Sequence, residues 1–458
     1  MTDASLSPAA DARALAARLV EAARRAGAAE ADAMAVEATA SAVGVSGRAL
    51  EEAERSEVRE VGLRVLVDAA GGRAQASVAT SDLRDGALDE IAGRAVAMAR
   101  AAPADPYAGR AGAEALAAVR DASGLDLEDP ETLPEPAALE AAARAAEDAA
   151  LAVEGVVQVE QASASWSRER VVIVQSNGFE GGYARTASSL AVSAIAGEGL
   201  GRERDYAAET RRHRADLPSP ESVGRRAGER TVAALNPRRP PAGRWPVVFD
   251  ERVAGSLIGH VLSAINGASV ARGSSWLSAR MGDRILPEGF EIREEPRIAR
   301  GRASRPFDAE GLETRSRALV SDGVLTSWVL DLATARQLGL ASTANARRGL
   351  AGPPSPGVSN VRVTNGERDR DALLREIGTG LLVTSFLGAS INPTTGGYSR
   401  GASGFWVEGG EIAYPVNEIT LAGSLPEMIA SIVPGADADT AKALAVPSLI
   451  VSGLTLGA

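Results

Sequence analysis

Apolar residues in the first part of the chain recur at helical spacing and then at strand spacing. An apolar stripe over residues 7–26, which begins at Ser7-Pro8 and ends before Gly27, predicts an amphipathic helix. Alternating apolar and polar positions then predict strands over three segments: Ala33–Val45, Val58–Val67 and Ala74–Ala79. A second helix is expected after Thr80, and its inward side chains would be Leu83, Ala87, Ile91 and Met98.

The middle of the chain shows the same two periods. An alanine-rich stretch predicts a helix over residues 136–152. Strands are predicted over Val156–Ser163, Arg170–Gln175 and Gly182–Ala196, and the Asn177-Gly178 pair is typical of a hairpin turn. Residues 211–244 are rich in arginine and proline. Because acids and prolines interrupt these arginines, we interpret the segment as a solvated connector.

The last part of the chain begins with a buried-strand pattern, Trp245–Phe249, and continues with helical spacing over residues 250–265. Asp250 stands at the expected N-cap of this helix. Beyond residue 276 the pattern is mainly one of short β segments with frequent glycine. These include a hairpin, a buried strand and two short helices, predicted over Thr314–Val320 with Val324–Leu330, Gly380–Leu387, Asp331–Leu338 and Asp369–Thr379.

Blocks of helix and strand followed by hairpins predict an α+β fold rather than a doubly wound parallel sheet. We expect an N-terminal helix-and-sheet domain and a mainly antiparallel β C-terminal domain. The predicted division is an N-terminal α+β domain over residues 1–135, a hairpin-rich segment with its connector over 136–244, and the C-terminal domain over 245–458.

Composition narrows the classes of function. The chain has 458 residues, a formal net charge of −11 and no cysteine. The acidic balance argues against general binding of nucleic acid or anionic membrane, and the lack of cysteine excludes disulfides and thiol catalysis. The first residues lack the basic start and apolar core of a secretion signal, and no stretch approaches the roughly 18 apolar residues of a membrane span. We therefore expect a cytoplasmic protein.

The segment 250–265 carries a single histidine among apolar residues, and the helical face comprises Val253, Leu257, His260, Val261, Ala264 and Ile265. Together with Asn266-Gly267 and residues 272–275, it resembles the central helix of the TldD/PmbA family, also called modulator of DNA gyrase. In the zinc-binding branch of that family, this helix carries His-Glu-x-x-x-His, which supplies two zinc ligands and a general base. The matching positions here begin with Gly255 and Ser256 and end with His260, so only the second histidine remains.

The resemblance extends through the C-terminal half as a series of short motifs in a fixed order. Each motif alone is common, but their order and spacing are specific to the family. They comprise residues 307–311, 384–388, 392–399, 404–407, 414–423 and 446–451, and the last of these is like the PmbA/TldE branch.

Zinc hydrolysis requires about three protein ligands, an open position for water and usually a carboxylate base. Gly255 has no donor atom, Ser256 cannot replace a glutamate, and the chain lacks the cysteine ligand of the zinc-binding branch. We therefore predict no catalytic residue and no metal ligand in this chain, and a structural, buried role for His260. The alternative is a hydrolase with a non-standard metal site at His260.

The resemblance implies a PmbA/TldE-like subunit that lacks its own zinc site and needs no cofactor of its own. A TldD-like zinc peptidase subunit would be its partner, and the two chains would enclose a chamber for unfolded peptide. Zinc is expected in the partner chain. A second alternative is a non-proteolytic, homodimeric peptide-binding or scaffold protein. No nucleic acid and no membrane is expected as a partner.

The Gly/Ser-rich stretch over residues 388–404 has neither Gly-Lys-Ser nor G-x-G-x-x-G, so phosphate binding is disfavoured. Its glycines could expose backbone amides to an added peptide strand, or could form tight turns at the end of a sheet. The candidate peptide-binding residues are Asn392, Thr394, Gly396, Gly397, Tyr398 and Ser399. We also expect dimerisation through the C-terminal half, because Phe405–Val407 could form an edge strand and Val446–Leu456 an exposed apolar tail.

Overall fold

The computed structural model describes residues 8–457, so Ser7, the predicted start of the first helix, lies outside the described residues. The helices are α1 (Pro8–Arg25), α2 (Asp85–Ala101), α3 (Pro136–Leu151), α4 (Pro220–Ala233), α5 (Glu251–Ala264), α6 (Gly267–Ala271), α7 (Leu332–Gln337), α8 (Arg370–Ile377) and α9 (Leu425–Ala430). No helix within this part of the chain has the length and apolar character needed to cross a bilayer.

The strands fall into two groups, one in each half of the chain. In the first half they are β1 (Glu30–Ser46), β2 (Ala49–Ala69), β3 (Gly72–Thr80), β4 (Val156–Gln175), β5 (Glu180–Ala196) and β6 (Glu203–Arg211). In the second half they are β7 (Gly243–Phe249), β8 (Ile292–Glu294), β9 (Arg317–Ser321), β10 (Val324–Leu325), β11 (Ala346–Arg347), β12 (Ser355–Pro356), β13 (Val361–Val363), β14 (Gly380–Ile391), β15 (Gly397–Glu408), β16 (Glu411–Ser424), β17 (Val433–Pro434), β18 (Leu444–Ala445) and β19 (Leu449–Gly457).

The first half forms one antiparallel sheet in the order β3-β2-β1-β4-β5-β6. Helices α1 and α2 cover one end of one face of this sheet, where Leu19 and Ile91 pack with Leu63 of β2. Helices α3 and α4 cover the other end of that face through Leu139 and Val223. Strand β1 pairs with β4 along most of its length, so this sheet takes strands from both sides of residue 135. The predicted boundary at that residue stays a prediction.

The opposite face of this sheet packs against the C-terminal half. Met34, Ile173 and Phe179 from the sheet meet Phe307, and the rings of Phe179 and Phe307 lie edge to face at 5.0 Å between centroids. The predicted motif at residues 307–311 therefore lies at the contact between the two halves of the chain.

The second half is built on a six-stranded sheet in the order β16-β15-β14-β7-β19-β17, and β16 also pairs with β19. The strands β16, β15, β14, β7 and β19 thus close on themselves around the largest apolar core, which α5 enters through Leu257 and Val261. A smaller sheet in the order β10-β9-β8-β13-β18 extends this core. Helices and mainly antiparallel sheets together confirm the α+β class.

Several predicted elements need correction. The segment 211–244 contains helix α4, whose Val223 and Ala227 are buried, so its interpretation as a connector alone is wrong. Met98 is 46% exposed rather than turned inward. Phe405–Val407 lies in the interior strand β15, and Val446–Leu456 is mostly buried in β19 of this chain's own sheet. Neither segment forms an exposed edge or tail.

Candidate functional site

Helix α5 follows β7 directly, and the Asp250 side chain accepts a hydrogen bond from the Arg252 N–H at 3.0 Å, as the sequence predicts. One face of the helix is fully buried in the core; it carries Ala254, Leu257, Ile258, Val261 and Ala264. The positions that match the zinc motif, Gly255, Ser256 and His260, lie together with Gly259 on the partly exposed side. His260 is therefore only partly buried, which corrects the predicted burial, and its structural role stays a prediction.

His260 meets Tyr398 of β15, and the two rings lie edge to face at 5.9 Å between centroids. Three polar atoms in this area are shielded from solvent: Ser256 Oγ and His260 Nε2, which have no hydrogen-bond partner among the described residues, and the Tyr398 hydroxyl, which interacts with Arg400. A shielded polar group without a partner costs free energy, of the order of 1–3 kcal/mol. These three groups thus form a polar cluster that is suited to receive hydrogen bonds from another molecule.

Arg400 adds a positive charge to this cluster. Its guanidinium stacks over the Phe386 ring at 4.1 Å, and its Nε donates to the Gly388 carbonyl at 3.2 Å. Partial burial lowers the pKa of His260, and the charge of Arg400 lowers it further. Burial also raises the pKa of Tyr398 to about 12, so its hydroxyl keeps its proton at neutral pH.

The pKa of His260 gives a first prediction. Its imidazole should titrate below the ordinary value of 6.5, and Arg400→Gln should raise that pKa because a nearby like charge is removed. Proton NMR can follow the titration, since the chain contains two histidines and His260→Gln assigns the signal. An unchanged pKa in Arg400→Gln would show that the arginine does not act on the ring.

The residues around His260 do not fit a zinc ion. His260 offers one nitrogen ligand, Gly255 offers none, and Arg400 brings a cation to the place where a metal cation would need carboxylate or thiolate ligands. Within residues 8–457, no three His, Cys, Asp or Glu side chains are grouped so as to hold a metal ion. His213, the other histidine, lies in the first half, where its Nε2 approaches the Asp126 carbonyl at 3.1 Å.

Strand β14 leaves part of one edge open beside α5. It pairs with β7 only over Leu381–Val383, and the Asp250 N–H then donates to the Val383 carbonyl at 3.0 Å, where the chain turns into α5. In the described part of the chain, no strand pairs with Thr384–Ile391 on that side. Phe386 is partly exposed and Leu387 is 55% exposed. An extended peptide could pair with these backbone groups as an added strand.

The structure divides the six candidate peptide-binding residues into two sets. Asn392 accepts hydrogen bonds from the N–H groups of Thr394 and Thr395 at 2.9 and 3.0 Å, and Gly396 has a φ of +78°. Together with Gly397 they form the turn between β14 and β15, as the tight-turn alternative predicts. Tyr398 and Ser399 are the next residues, in β15, where they pair with Ile391 and Ser390.

Of the six candidates, Tyr398 meets His260 on α5. Sequence reasoning missed Arg400 and Phe386, which complete the cluster. Tyr398 and Arg400 are two residues apart in a strand, so they point to the same face, and this spacing is the signal that could have identified Arg400. Phe386 lies across the hairpin, opposite Ala402, and only the strand register brings it to the same place.

The comparisons agree with this architecture. The sequence model of the PmbA/TldA metallopeptidase C-terminal domain matches residues 242–458, and that of the central domain matches residues 126–235. The fold is that of a solved Bacteroides thetaiotaomicron protein described as a modulator of DNA gyrase, with a TM-score of 0.89 at 24% identity over 97% of this chain and 98% of that one. It is also that of TldE from Thermococcus kodakarensis, with a TM-score of 0.82 at 19% identity over 97% and 100%.

These matches show that the chain has the fold of the metallopeptidase class. The chain is 40% identical to metalloprotease PmbA of Escherichia coli O157:H7 over 82% of its own length and 81% of that protein. It is 36% identical to a PmbA homologue of Haemophilus influenzae over 80% and 79%. The chain belongs to the PmbA/TldD metallopeptidase family. A TldD homologue of Haemophilus influenzae is 28% identical over only 43% of this chain, so the similarity is greater to the PmbA relatives.

Proposed function

We propose that this chain is the PmbA/TldE-like subunit of a two-chain metallopeptidase and that it holds an extended, unfolded peptide beside α5. The observation that carries the proposal is the open edge of β14 next to the cluster of Ser256, His260 and Tyr398. Backbone groups of the edge would pair with the peptide, and the three shielded polar groups would bind its remaining amides and carbonyls. Affinity would then come mainly from the main chain, with little side-chain preference.

Peptide-bond cleavage in this proposal takes place on a TldD-like partner that carries the zinc. Ser256 stands where a general base is needed, and a hydroxyl is a poor proton acceptor at neutral pH. Arg400 beside His260 further disfavours a metal on this side. The relatives named TldE and TldD support a pair of similar chains. This chain would form one wall of the substrate chamber.

Gly259 offers a direct test of the peptide site. A side-chain carbon built on Gly259 meets no atom within 4 Å, so Gly259→Leu should fold normally and fill open space on the side of α5 that carries Ser256 and His260. Gly396 is less suitable for such a test, because a carbon there would lie 2.7 Å from Pro426 Cδ at a positive φ. We expect Gly259→Leu to lower cleavage of an unfolded peptide by the reconstituted pair at least about tenfold, which corresponds to the loss of one or two hydrogen bonds.

The matched control is Gly93→Leu on α2, another helical glycine with open space around its side-chain position. The pair containing this variant should cleave at the wild-type rate. Both variants are co-expressed with the TldD-like subunit of the same organism, and assembly is measured by size-exclusion chromatography. Wild-type cleavage by Gly259→Leu in an intact pair would refute the peptide site. Chelator-sensitive cleavage by this chain alone would refute the assignment of catalysis to the partner.

A further inference from the structure

A cavity of about 200 Å³ lies between the first sheet and the C-terminal half. One wall consists of side chains from β1, β4 and β5. The other wall consists of residues 302–309 and 346–348. The cavity is separate from the cluster around His260, since none of Ser256, His260 and Tyr398 lines it.

The cavity is lined by more positive than negative side chains: Arg185, Arg302, Arg305, Arg347 and Arg348 against Glu169 and Asp308. Both carboxylates are already engaged. Glu169 accepts two hydrogen bonds from Arg185, at 3.0 and 2.7 Å. Asp308 accepts the backbone N–H groups of Glu310, Leu312 and Ala346 at 2.9–3.0 Å. Burial raises the pKa of Asp308 to about 6, so one of the two carboxylates keeps its charge only above that pH.

Three of the arginines therefore have no hydrogen-bonded carboxylate. Arg302 and Arg347 lie at the solvent-exposed mouth of the cavity, and within residues 8–457 their side chains form no hydrogen bond or ion pair. Arg305 is buried and donates only to the carbonyls of Ala346 and Gly357, and its Nε is shielded without a partner. Burial lowers the pKa of Arg347, and the charges of Arg305 and Arg185 lower it further. The arginines thus repel one another across a small cavity.

We propose that this cavity binds a small oxyanion, the phosphate or carboxylate group of a ligand. The planar guanidinium groups can each donate two parallel hydrogen bonds to such a group, and charge-assisted bonds of this kind are about twice as strong as neutral ones. A bound oxyanion would neutralise the excess charge and provide the partners that Arg302, Arg305 and Arg347 lack. Because the anion would bind the folded chain and not the unfolded one, it would also stabilise the fold.

The test uses isothermal titration calorimetry on the purified full chain. Inorganic phosphate, acetate and succinate are titrated separately at constant ionic strength, with chloride as the balancing ion. We expect saturable binding of one anion per chain, and a rise in the melting temperature that chloride does not produce. In the double variant Arg302→Gln/Arg347→Gln, the affinity should fall at least about tenfold, since both charge-assisted hydrogen-bond donors are lost.

Arg94→Gln is the matched control, because Arg94 is exposed on α2 and its loss removes the same charge from an ordinary surface. It should bind the anion as the wild-type chain does. Binding of phosphate alone would assign the site to phosphoryl ligands, and binding of acetate or succinate alone would assign it to carboxylates. Lack of saturable binding of all three anions, or equal affinity in the double variant, would overturn the proposal. The assay contains no peptide and no partner chain, so its result is independent of the proposed peptidase function.

Discussion

Asp32→Asn is expected to lower the free energy of unfolding by about 3–5 kcal/mol, the usual cost of removing one partner from a buried ion pair. Asp32 is fully buried on β1 and contacts three buried arginines. Its Oδ2 accepts hydrogen bonds from Arg64 at 2.8 Å and from Arg110 at 2.5 Å, and its Oδ1 contacts Arg348. Asparagine keeps the size of the side chain but removes the charge that all three cations share.

The direction of this effect follows from the burial of the cations. Burial lowers the pKa of Arg64, Arg110 and Arg348, and the charge of Arg64 lowers that of Arg110 further, so their charged forms need nearby anions. Total stabilities of single-domain proteins are about 5–15 kcal/mol, so the loss is a large part of the whole. Arg348 belongs to the C-terminal half, and the variant should therefore also weaken the contact between the halves.

Urea denaturation followed by circular dichroism measures the effect. The control is Asp68→Asn, which removes an acid that is 79% exposed in its side chain and lies 3.5 Å from Arg73. Exposed ion pairs contribute about 0–1 kcal/mol, so this control should unfold close to the wild-type midpoint. Equal midpoints for the two variants would show that the Asp32 cluster does not stabilise the fold.

Elements whose formation depends on residues close together in the sequence could be predicted. The helix α3, the Asn177-Gly178 turn and the Asp250 cap were each indicated by local spacing and turn chemistry, and each is present in the structure. Local signals also misled. The first residues of β2, Ala49–Arg59, are exposed on both faces, so they lack the alternation that marks a strand. Helix α4 was not predicted, because the arginines on its solvent-exposed side made the segment resemble a connector.

The functional clusters depend on residues that are far apart in the sequence. His260 meets Tyr398 only because β14 lies between β7 and β15 in the sheet. The three arginines around Asp32 come from β2, from the segment after α2 and from the C-terminal half. A single sequence contains no pairing information of this kind. The absence of the His-Glu-x-x-x-His motif could be seen in the sequence. The polar cluster at the same positions could be recognised only from the three-dimensional structure.

Removal of residues 449–458 should prevent the C-terminal half from folding. Strand β19 lies between β7 and β17 and also pairs with β16, so its loss opens the closed arrangement of strands. The strand buries Leu449, Ile450, Val451, Leu454 and Leu456. Burial of one such side chain contributes about 1.5–3 kcal/mol, and five of them together are comparable to the whole stability of most domains.

Point variants on the two faces of β19 test whether its buried side chains, rather than the length of the chain, are needed for folding. Leu454 is 1% exposed in the core, whereas the neighbouring Thr455 points to solvent. Leu454→Asp should yield insoluble or unfolded protein, because it places a carboxylate without a partner in the apolar core. Thr455→Asp changes the same strand and should remain folded, with a melting temperature within a few degrees of the wild type. If Leu454→Asp and the truncated chain were both soluble and folded but failed to dimerise, β19 would serve as a docking segment rather than as part of the core.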